Sequence, residues 1–336
     1  MLIEMNTCTI NGRIFYLDLI KFVGILLVIY GHVELFGFGI SSISMGMIYT
    51  FQMPLFFFVS GFLAFKSHKP LSYYLSNTWK KITLLLLPTI VFSFFYALVY
   101  KTEVYFLDGF GRYWFGVALL ECFIIYYMIC IITKTEKQQL FIMVLLSIIG
   151  VGYLSTGVGD KYLQVIELNH LTKYLHFFTL GLLAKYYSHY YTKVLNCGIM
   201  RTIGIGCFFI IFFVLRYEGF FPIIIERFLY DIILRYLGLY VVVVLLYDSS
   251  SKIDLKEGGG FARLVGFVAE NSFGIYLLQY FFLPDFRGQE WFSNIDEFSM
   301  SIICLFYSVT CILACLGVIA IVSRSNFLSR FVLGKR

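Results

Sequence analysis

The chain has 336 residues, of which 60% are hydrophobic and only 14% are charged, and its mean hydropathy is +0.84. A soluble globular domain is about a quarter charged, so this composition excludes an ordinary soluble domain and indicates a protein that crosses a membrane several times. The net charge of +6 is therefore interpreted as the loop asymmetry of a membrane protein and not as a nucleic-acid-binding surface.

Ten apolar segments are long enough to span a bilayer as helices. Their approximate ranges are 19–39, 44–66, 82–100, 114–132, 139–156, 172–188, 200–217, 229–247, 264–284 and 299–321. The connecting loops are brief, and the sixth segment is short and aromatic. The sequence thus predicts an all-α polytopic membrane protein that forms one integral-membrane domain over residues 1–336, with a helical core over about residues 13–325.

Lysine and arginine are distributed unevenly between the two predicted sides of the membrane. With the amino terminus inside, the cytoplasmic side holds 18 of the 26 basic residues and the outer side holds 8. Because short cytoplasmic loops carry an excess of Lys and Arg, this distribution predicts that both termini are cytoplasmic. The expected location is the inner (cytoplasmic) membrane, with multiple passes.

The first predicted helix carries Asp18, Lys21 and His32 within an apolar run. The eleven-residue step from Lys21 to His32 is almost three helical turns, so both lie on one face, about 16 Å apart along the axis. Asp18 is three residues before Lys21 and within its reach. Ionisable groups inside a membrane helix are costly and usually functional. The alternative is a snorkelling lysine with a hydrogen-bonded packing histidine.

Five predicted helices place a polar side chain at a similar depth, roughly 8–12 Å below the outer surface at 1.5 Å per residue. These side chains are His32, Gln52, Glu121, Arg235 and Gln279. Polar groups at that depth avoid lipid and face the helix bundle or a wet cavity. The layer therefore indicates a site, although separate interhelical hydrogen bonds would also explain it.

Two motifs in the first two helices resemble those of a known family. The stretch 17–32 has a lysine, ten residues and then a histidine, and it resembles the first-helix signature of the acyltransferase-3 family. The stretch 51–63, with Gln52-Met53-Pro54 and Ser60-Gly61, is similar to the other recurrent motif of that family. Weaker similarities lie at Tyr113-Trp114-Phe115 with Glu121, at Phe177-Phe178 with Gly181, and at Asn271-Ser272 with Tyr276 and Gln279.

The resemblance implies an integral-membrane O-acyltransferase that moves an acyl group, often acetyl, from a coenzyme A thioester to a saccharide hydroxyl. The subgroup that it most resembles carries out O-acetylation in capsule, exopolysaccharide or lipopolysaccharide biosynthesis. The implied partners are acyl-CoA, a saccharide or lipid-linked saccharide acceptor and membrane lipid, without nucleic acid. Acetyl-CoA would be a co-substrate, with no bound cofactor and no metal. Gln52 and Gln279 stand where many members have histidine, so His32 would carry the proton chemistry alone.

Acyl transfer to an alcohol needs a base for the hydroxyl proton, and the resemblance assigns this role to His32. A covalent acyl-histidine is the rival mechanism. Arg13, Asp18 and Lys21 are expected at the donor end. There Arg13 and Lys21 would form, with other lysines, a cationic collar for the phosphates of coenzyme A. The other members of this collar are Lys66, Lys80 and Lys81. Ordinary positive-inside charge is the alternative explanation.

The remaining candidates have open roles. Glu121 is expected to orient His32 or to receive a sugar hydroxyl, and it could equally be a protonated packing residue. Acceptor or oxyanion contacts are expected from Gln52, Ser60, Arg235 and Gln279. Ser60 with Gly61 could instead allow close helix packing. Arg227, Asp231 and Arg235 follow one another at four-residue steps, so they could simply neutralise each other on one helix face.

The other histidines are interpreted as non-catalytic, because they fall in loops or near predicted helix ends without metal-ligand partners. They are His68, His170, His176 and His189. A transporter or flippase for a sugar or lipid-linked glycan is the second functional hypothesis. Such proteins tend to have two matching halves with paired Gly/Pro-broken helices, which the five prolines do not show. A third hypothesis is a non-enzymatic assembly subunit of an envelope polysaccharide machine.

Overall fold

The computed structural model is built almost entirely from helices. It describes residues 9–10, 13–101, 110–155, 168–215, 229–253, 259–289, 295–325 and 328–329. Before the first helix, strands β1 and β2 pair antiparallel, with Ile10 opposite Arg13. The strands are β1 (Thr9–Ile10) and β2 (Arg13–Ile14).

Twelve α-helices follow in the described parts of the chain. In the first half they are α1 (Phe15–His32), α2 (Ile43–Ala64), α3 (Leu71–Lys81), α4 (Leu87–Tyr100), α5 (Trp114–Ile132) and α6 (Glu136–Ser155). In the second half they are α7 (Leu168–Tyr186), α8 (Ser188–Asn196), α9 (Gly198–Leu215), α10 (Arg235–Lys252), α11 (Gly260–Leu278) and α12 (Glu297–Val322).

Short segments of other helical types extend these helices. Three π-helical segments follow α1, join α3 to α4 and precede α10: Val33–Phe38, Ile82–Leu86 and Leu229–Leu234. Two 3₁₀ segments precede α5 and follow α11: Gly111–Tyr113 and Gln279–Phe281.

Eight described segments are long and apolar enough to cross a membrane. They are Phe15–Phe38, Ile43–Ala64, Leu71–Tyr100, Gly111–Ile132, Gly198–Leu215, Leu229–Lys252, Gly260–Phe281 and Glu297–Val322. The fifth and sixth predicted spans coincide with α6 and α7, helices of 20 and 19 residues that fall outside this set. Helix α7 carries Asn169, His170, Lys173 and His176, which lower its hydropathy. The prediction of an all-α polytopic membrane protein is confirmed.

The third span begins eleven residues earlier than the predicted start at residue 82. Helix α3 is polar, with Ser, Asn, Thr and two terminal lysines, so its sequence did not read as part of an apolar span. The π-helical segment Ile82–Leu86 joins it to α4 without a break. An amphipathic helix therefore leads directly into the membrane-spanning one.

Large apolar side chains point away from the protein along several helices. On α4 and α6 they recur at helical spacing, as with Phe94 and Leu98 or Phe141 and Ile148, all at least half exposed. A soluble protein rarely exposes such continuous apolar faces. Lipid is the solvent that these faces fit, because the backbone polar groups beneath them are already satisfied within the helices.

The chain forms two compact units. The first unit joins Met1–Val59 with Tyr187–Leu316, and the second joins Ser60–Tyr186 with Gly317–Arg336. The prediction of a single domain over residues 1–336 stays a prediction.

In the first unit, α1 packs along α11 and α10, and α9 packs on α10. Small residues permit close approaches between helices of this unit. A methyl group at Gly24 would come within 3.0 Å of the Phe56 ring of α2, and one at Gly204 within 2.6 Å of the Tyr240 ring. Glycine thus lets α1 approach α2 and α9 approach α10.

In the second unit, α6 packs extensively on α7, and α5 packs on α3 and α7. Ser147 and Thr179 form a buried hydrogen bond of 2.9 Å between α6 and α7. The closest approach lies at Gly61, where a methyl group would collide with the carbonyl oxygen of Phe178. The two family-like stretches around Ser60-Gly61 and Phe177-Phe178 are therefore in backbone contact.

Reporter fusions test the predicted orientation. A fusion at Arg336 and one within residues 103–109, both outside the described residues, are expected to report opposite sides of the membrane, with Arg336 inside. The reason is the excess of Lys and Arg on the predicted cytoplasmic side. Activity of a periplasmic reporter at Arg336 would overturn the topology, whereas a cytoplasmic reporter active at that position would agree with it.

Candidate active site

His32 is the last residue of α1, at the point where the α-helix passes into the π-helical segment Val33–Phe38. Its imidazole is half-buried. The ring centroids of Phe36 and Tyr280 lie 5.4 and 5.2 Å away. Single π-helical turns are frequent at functional sites, because they turn side chains away from the regular helical register. His32 thus sits against aromatic rings at an irregular turn inside the first span.

Gln279 is the hydrogen-bond partner of this histidine. Its Oε1 lies 3.1 Å from Nδ1 of His32, and its Nε2 donates to the carbonyl oxygen of Tyr276 at 3.1 Å. Gln279 is fully buried, and the Cys311 thiol on α12 lies 3.8 Å from the backbone carbonyl oxygen of Gln279. The structure therefore joins two of the sequence-predicted site residues, and it does so through an amide at the end of α11.

Gln52 lies on α2 beside the residue that precedes His32. Its Oε1 is 3.6 Å from the position that a methyl group on Gly31 would occupy, and Tyr49 lies at 3.2 Å from the same position. Gln52 is 2% exposed, and its Oε1 has no hydrogen-bond partner among the described residues. A buried carbonyl oxygen without a donor is costly, so this position suits a ligand that brings a hydroxyl or amine.

Arg235 is the first residue of α10 and directly follows the π-helical segment Leu229–Leu234. Its side chain is 6% exposed, and Nη2 lies 3.0 Å from Oδ1 of Asp231. One turn further on, a methyl group at Gly238 would come within 3.0 Å of the Thr50 hydroxyl on α2. The i, i+4 pair expected with Asp231 is present, and Arg227 lies outside the described residues.

An ion network occupies the start of α1. The guanidinium of Arg13 binds Asp18 through two nitrogens, at 2.9 and 3.1 Å, and binds Glu270 of α11 at 3.1 Å. Lys21 lies 3.9 Å from Asp18. Two cations and two carboxylates give the network a formal charge of zero. The expected proximity of Arg13, Asp18 and Lys21 is confirmed, while Glu270 was not predicted.

The pKa of the Arg13 guanidinium reflects this network. Partial burial would lower that pKa, but the hydrogen bonds and charges of Asp18 and Glu270 outweigh burial and raise it above its usual value. Arg13 is therefore a fixed cation that already has two partners. Lys21 makes a single long ion pair within the described parts of the chain.

Glu121 and Ser60 belong to the second unit. Glu121 is half-buried on α5, seven residues after its start, and Ser60 is half-buried on α2 beside Gly61. The Gly61 contact with Phe178 confirms close helix packing at this pair of small residues. The expected roles of Glu121 toward His32 and of Ser60 toward the acceptor or the oxyanion stay predictions.

His176 corrects one sequence-based interpretation. It does not lie in a loop or near a helix end, because α7 begins at Leu168 and ends at Tyr186 and places it at mid-helix. It is 5% exposed, and its ring centroid lies 4.1 Å from that of Phe177. The helix starts four residues before the predicted segment, which moves His176 inward. His32 is therefore one of two histidines deep in long helices of the described chain.

Sequence reasoning also missed Glu270 and the π-helical segments. Glu270 is an acid inside the ninth predicted span. An ionisable side chain in a membrane span is energetically costly, and this alone could have identified Glu270 as a functional candidate. The π-helical segments next to His32 and Arg235 have no comparable signal in the sequence, since they depend on how neighbouring helices pack.

Comparison with known proteins identifies the family. A family model described as an acyltransferase domain, that of the acyltransferase-3 family, matches residues 14–321. Comparisons with curated proteins and with solved structures give no match. The matched range begins next to Arg13 and ends within α12, so it contains seven of the eight membrane-spanning segments and all of the eighth except Val322. The chain belongs to the acyltransferase-3 family and is a membrane acyltransferase.

Proposed function

We propose that this acyltransferase moves an acyl group, in the first instance acetyl, from coenzyme A to a hydroxyl of a cell-envelope or exported saccharide. His32 is the general base. The observation that carries the proposal is the hydrogen bond of His32 to the buried amide of Gln279 at an irregular turn of the first span. We place the protein in the cytoplasmic membrane as a single multi-pass domain.

A neutral imidazole is the form that a base needs, and histidine is the side chain whose unperturbed pKa lies nearest to neutral pH. The contacts of the His32 ring include the uncharged amide of Gln279 and the rings of Phe36 and Tyr280. His32 is therefore the side chain proposed to accept the hydroxyl proton.

The chemical step exchanges one carbon–sulfur bond for one carbon–oxygen bond. The acceptor hydroxyl oxygen attacks the thioester carbonyl while His32 takes the hydroxyl proton. The tetrahedral oxyanion collapses, the carbon–sulfur bond breaks, and the proton passes from His32 to the departing thiolate of coenzyme A. Arg235 is the cation proposed for the oxyanion or for an acidic sugar, because its guanidinium is buried and always charged.

Gln52 supports a polyhydroxylated acceptor. Its buried Oε1 lies next to Gly31 and has no donor among the residues described, so it can receive a hydrogen bond from a ligand hydroxyl. A saccharide presents adjacent hydroxyls, one of which can donate to Gln52 while its neighbour gives its proton to His32. This arrangement favours a sugar over an acceptor with a single hydroxyl.

Lys21 is the proposed cation for the coenzyme A donor. Arg13 is committed to Asp18 and Glu270, whereas Lys21 has, among the described residues, only the 3.9 Å pair with Asp18 and is partly exposed. An ammonium with one long ion pair can bind a phosphate at little cost to the network. The donor would enter from inside along the Lys21 face, and the acceptor would approach from outside.

Replacing Lys21 tests the donor assignment. Lys21→Ala is expected to weaken binding of acetyl-CoA about tenfold to a hundredfold, because a hydrogen bond to a charged group contributes about 1.5–3 kcal/mol. Lys21→Arg should retain much of the affinity. Titration of purified protein with acetyl-CoA measures both. Lys252→Ala is the matched control, since Lys252 also pairs with an aspartate but is mostly exposed. Unchanged affinity in Lys21→Ala would reduce Lys21 to a topological anchor.

The proposed activity is tested in two ways. The O-acetyl content of surface polysaccharide is compared between cells with and without the gene, and purified protein in vesicles is given labelled acetyl-CoA with that polysaccharide. We expect O-acetyl groups to be lost without the gene and label to enter the saccharide in vesicles. Saccharide crossing the vesicle membrane without acyl transfer would instead support the transporter alternative.

A further inference from the structure

We infer that Gln279 is a positioning residue that fixes the tautomer of His32 and so makes Nε2 the basic nitrogen. The inference rests on the proposed function and changes the role expected for Gln279. The sequence assigned it to the acceptor or the oxyanion. The structure gives its amide oxygen to the histidine and its amide nitrogen to the backbone.

The orientation of the amide follows from its two partners. The carbonyl oxygen of Tyr276 can only accept a hydrogen bond, so the Gln279 atom that faces it must be the nitrogen. The atom that faces His32 is then the oxygen, which can only accept. Nδ1 of His32 must therefore carry the hydrogen, and in the neutral ring the lone pair belongs to Nε2. Rotating the amide would place its oxygen against the carbonyl oxygen of Tyr276 and so replace a hydrogen bond with repulsion.

The amide is itself held in place. Gln279 is fully buried and begins the 3₁₀ segment Gln279–Phe281, which directly follows α11. The Cys311 thiol contacts its backbone carbonyl, and Cys315 contacts the carbonyl of Ile275 one turn earlier, so α12 braces this end of α11. A fixed partner on one ring nitrogen determines both the tautomer and the orientation of a histidine.

An amide at this position also has no charge that would stabilise the imidazolium form of His32. A carboxylate would attract a proton to the imidazole and hold it there, whereas glutamine fixes the tautomer without that attraction. Gln279 thus orients His32 as the aspartate of a catalytic triad orients its histidine. Unlike that aspartate, it does not raise the proton affinity of the imidazole. Gln279 acts through His32 and need not touch the substrate.

The pH–rate profile of Gln279→Glu tests this role. Activity requires neutral His32, so it rises with pH through the titration of the imidazole. A glutamate beside Nδ1 stabilises the imidazolium, and the acid limb should therefore move to higher pH by about one unit or more. Gln279→Met removes the acceptor, and we expect its plateau rate to fall about tenfold or more, because part of the protein holds the wrong tautomer.

Asn271→Asp is the matched control. It makes the same amide-to-carboxylate change in a buried residue of α11, eight residues and about 12 Å along the axis before Gln279. We expect its acid limb to stay at the wild-type pH. An unmoved limb in Gln279→Glu, or an equal shift in both variants, would overturn the inference.

A spectroscopic measurement covers the case in which the variants are inactive. Nitrogen-15 spectra of histidine-labelled protein, with His32→Gln to assign the signal, distinguish a protonated Nδ1 from a protonated Nε2. We expect Nδ1–H in the wild type at neutral pH, and Nε2–H would refute the tautomer assignment. Full activity of His32→Gln would instead remove the proposed base, so the two failures are distinguishable.

Discussion

Replacing His32 by alanine or glutamine should lower acyl transfer by about a hundredfold to ten-thousandfold, the usual cost of losing one general base. Neither side chain can accept the hydroxyl proton at neutral pH. Glutamine keeps much of the size and hydrogen-bonding capacity of histidine, so that His32→Gln separates loss of basicity from loss of packing. The measurement is acyl transfer to the acceptor in membranes, normalised to the amount of protein.

His176→Gln is the matched control for this experiment. His176 is a buried histidine in the middle of a long helix, and it lies on α7 in the other unit. We expect His176→Gln to keep most of the activity. Near-normal acylation in both His32 variants at normal abundance would refute the base assignment, and loss of activity in His176→Gln alone would move the role to that residue.

Gly61→Ala should prevent normal folding or leave a markedly less stable protein. The added methyl group would meet the backbone carbonyl of Phe178 and not a side chain that can rotate away. Overpacking of a tight contact usually costs about 1–3 kcal/mol, and a collision with backbone lies at the upper end or above because two helices must separate. Such a loss is a large share of the roughly 5–15 kcal/mol that stabilises a typical domain.

Gly152→Ala is the control for Gly61→Ala. Gly152 is also a helical glycine of the second unit, on α6, but a methyl group there would have no atom of the described residues within 4 Å, apart from the nearby backbone of α6 itself. We expect it to be neutral or slightly stabilising, since alanine favours a helix over glycine. Thermal unfolding in detergent and the yield of folded protein measure both. Wild-type stability of Gly61→Ala would show that the close contact of α2 with α7 is not required.

The sequence by itself determined that eight segments are membrane spans, although not where each begins, because a segment in lipid must satisfy its own backbone hydrogen bonds and must therefore be a long apolar helix. It also determined local pairs. Asp18 and Lys21 are three residues apart on one helix, and Asp231 and Arg235 are four apart, so helical geometry alone brings them together. The close packing at Gly61 follows from the same kind of local pattern.

Only the tertiary structure decided which distant residues meet. Gln279 is 247 residues from His32 and Glu270 is 257 from Arg13, and both contacts depend on how α11 is rotated and shifted against α1. A rotation of one residue turns a helical side chain by about 100°, which no apolar pattern fixes to the accuracy of a hydrogen bond. The sequence could therefore place Gln279 at the depth of His32, but only the packing of α1 on α11 made it the partner of the histidine.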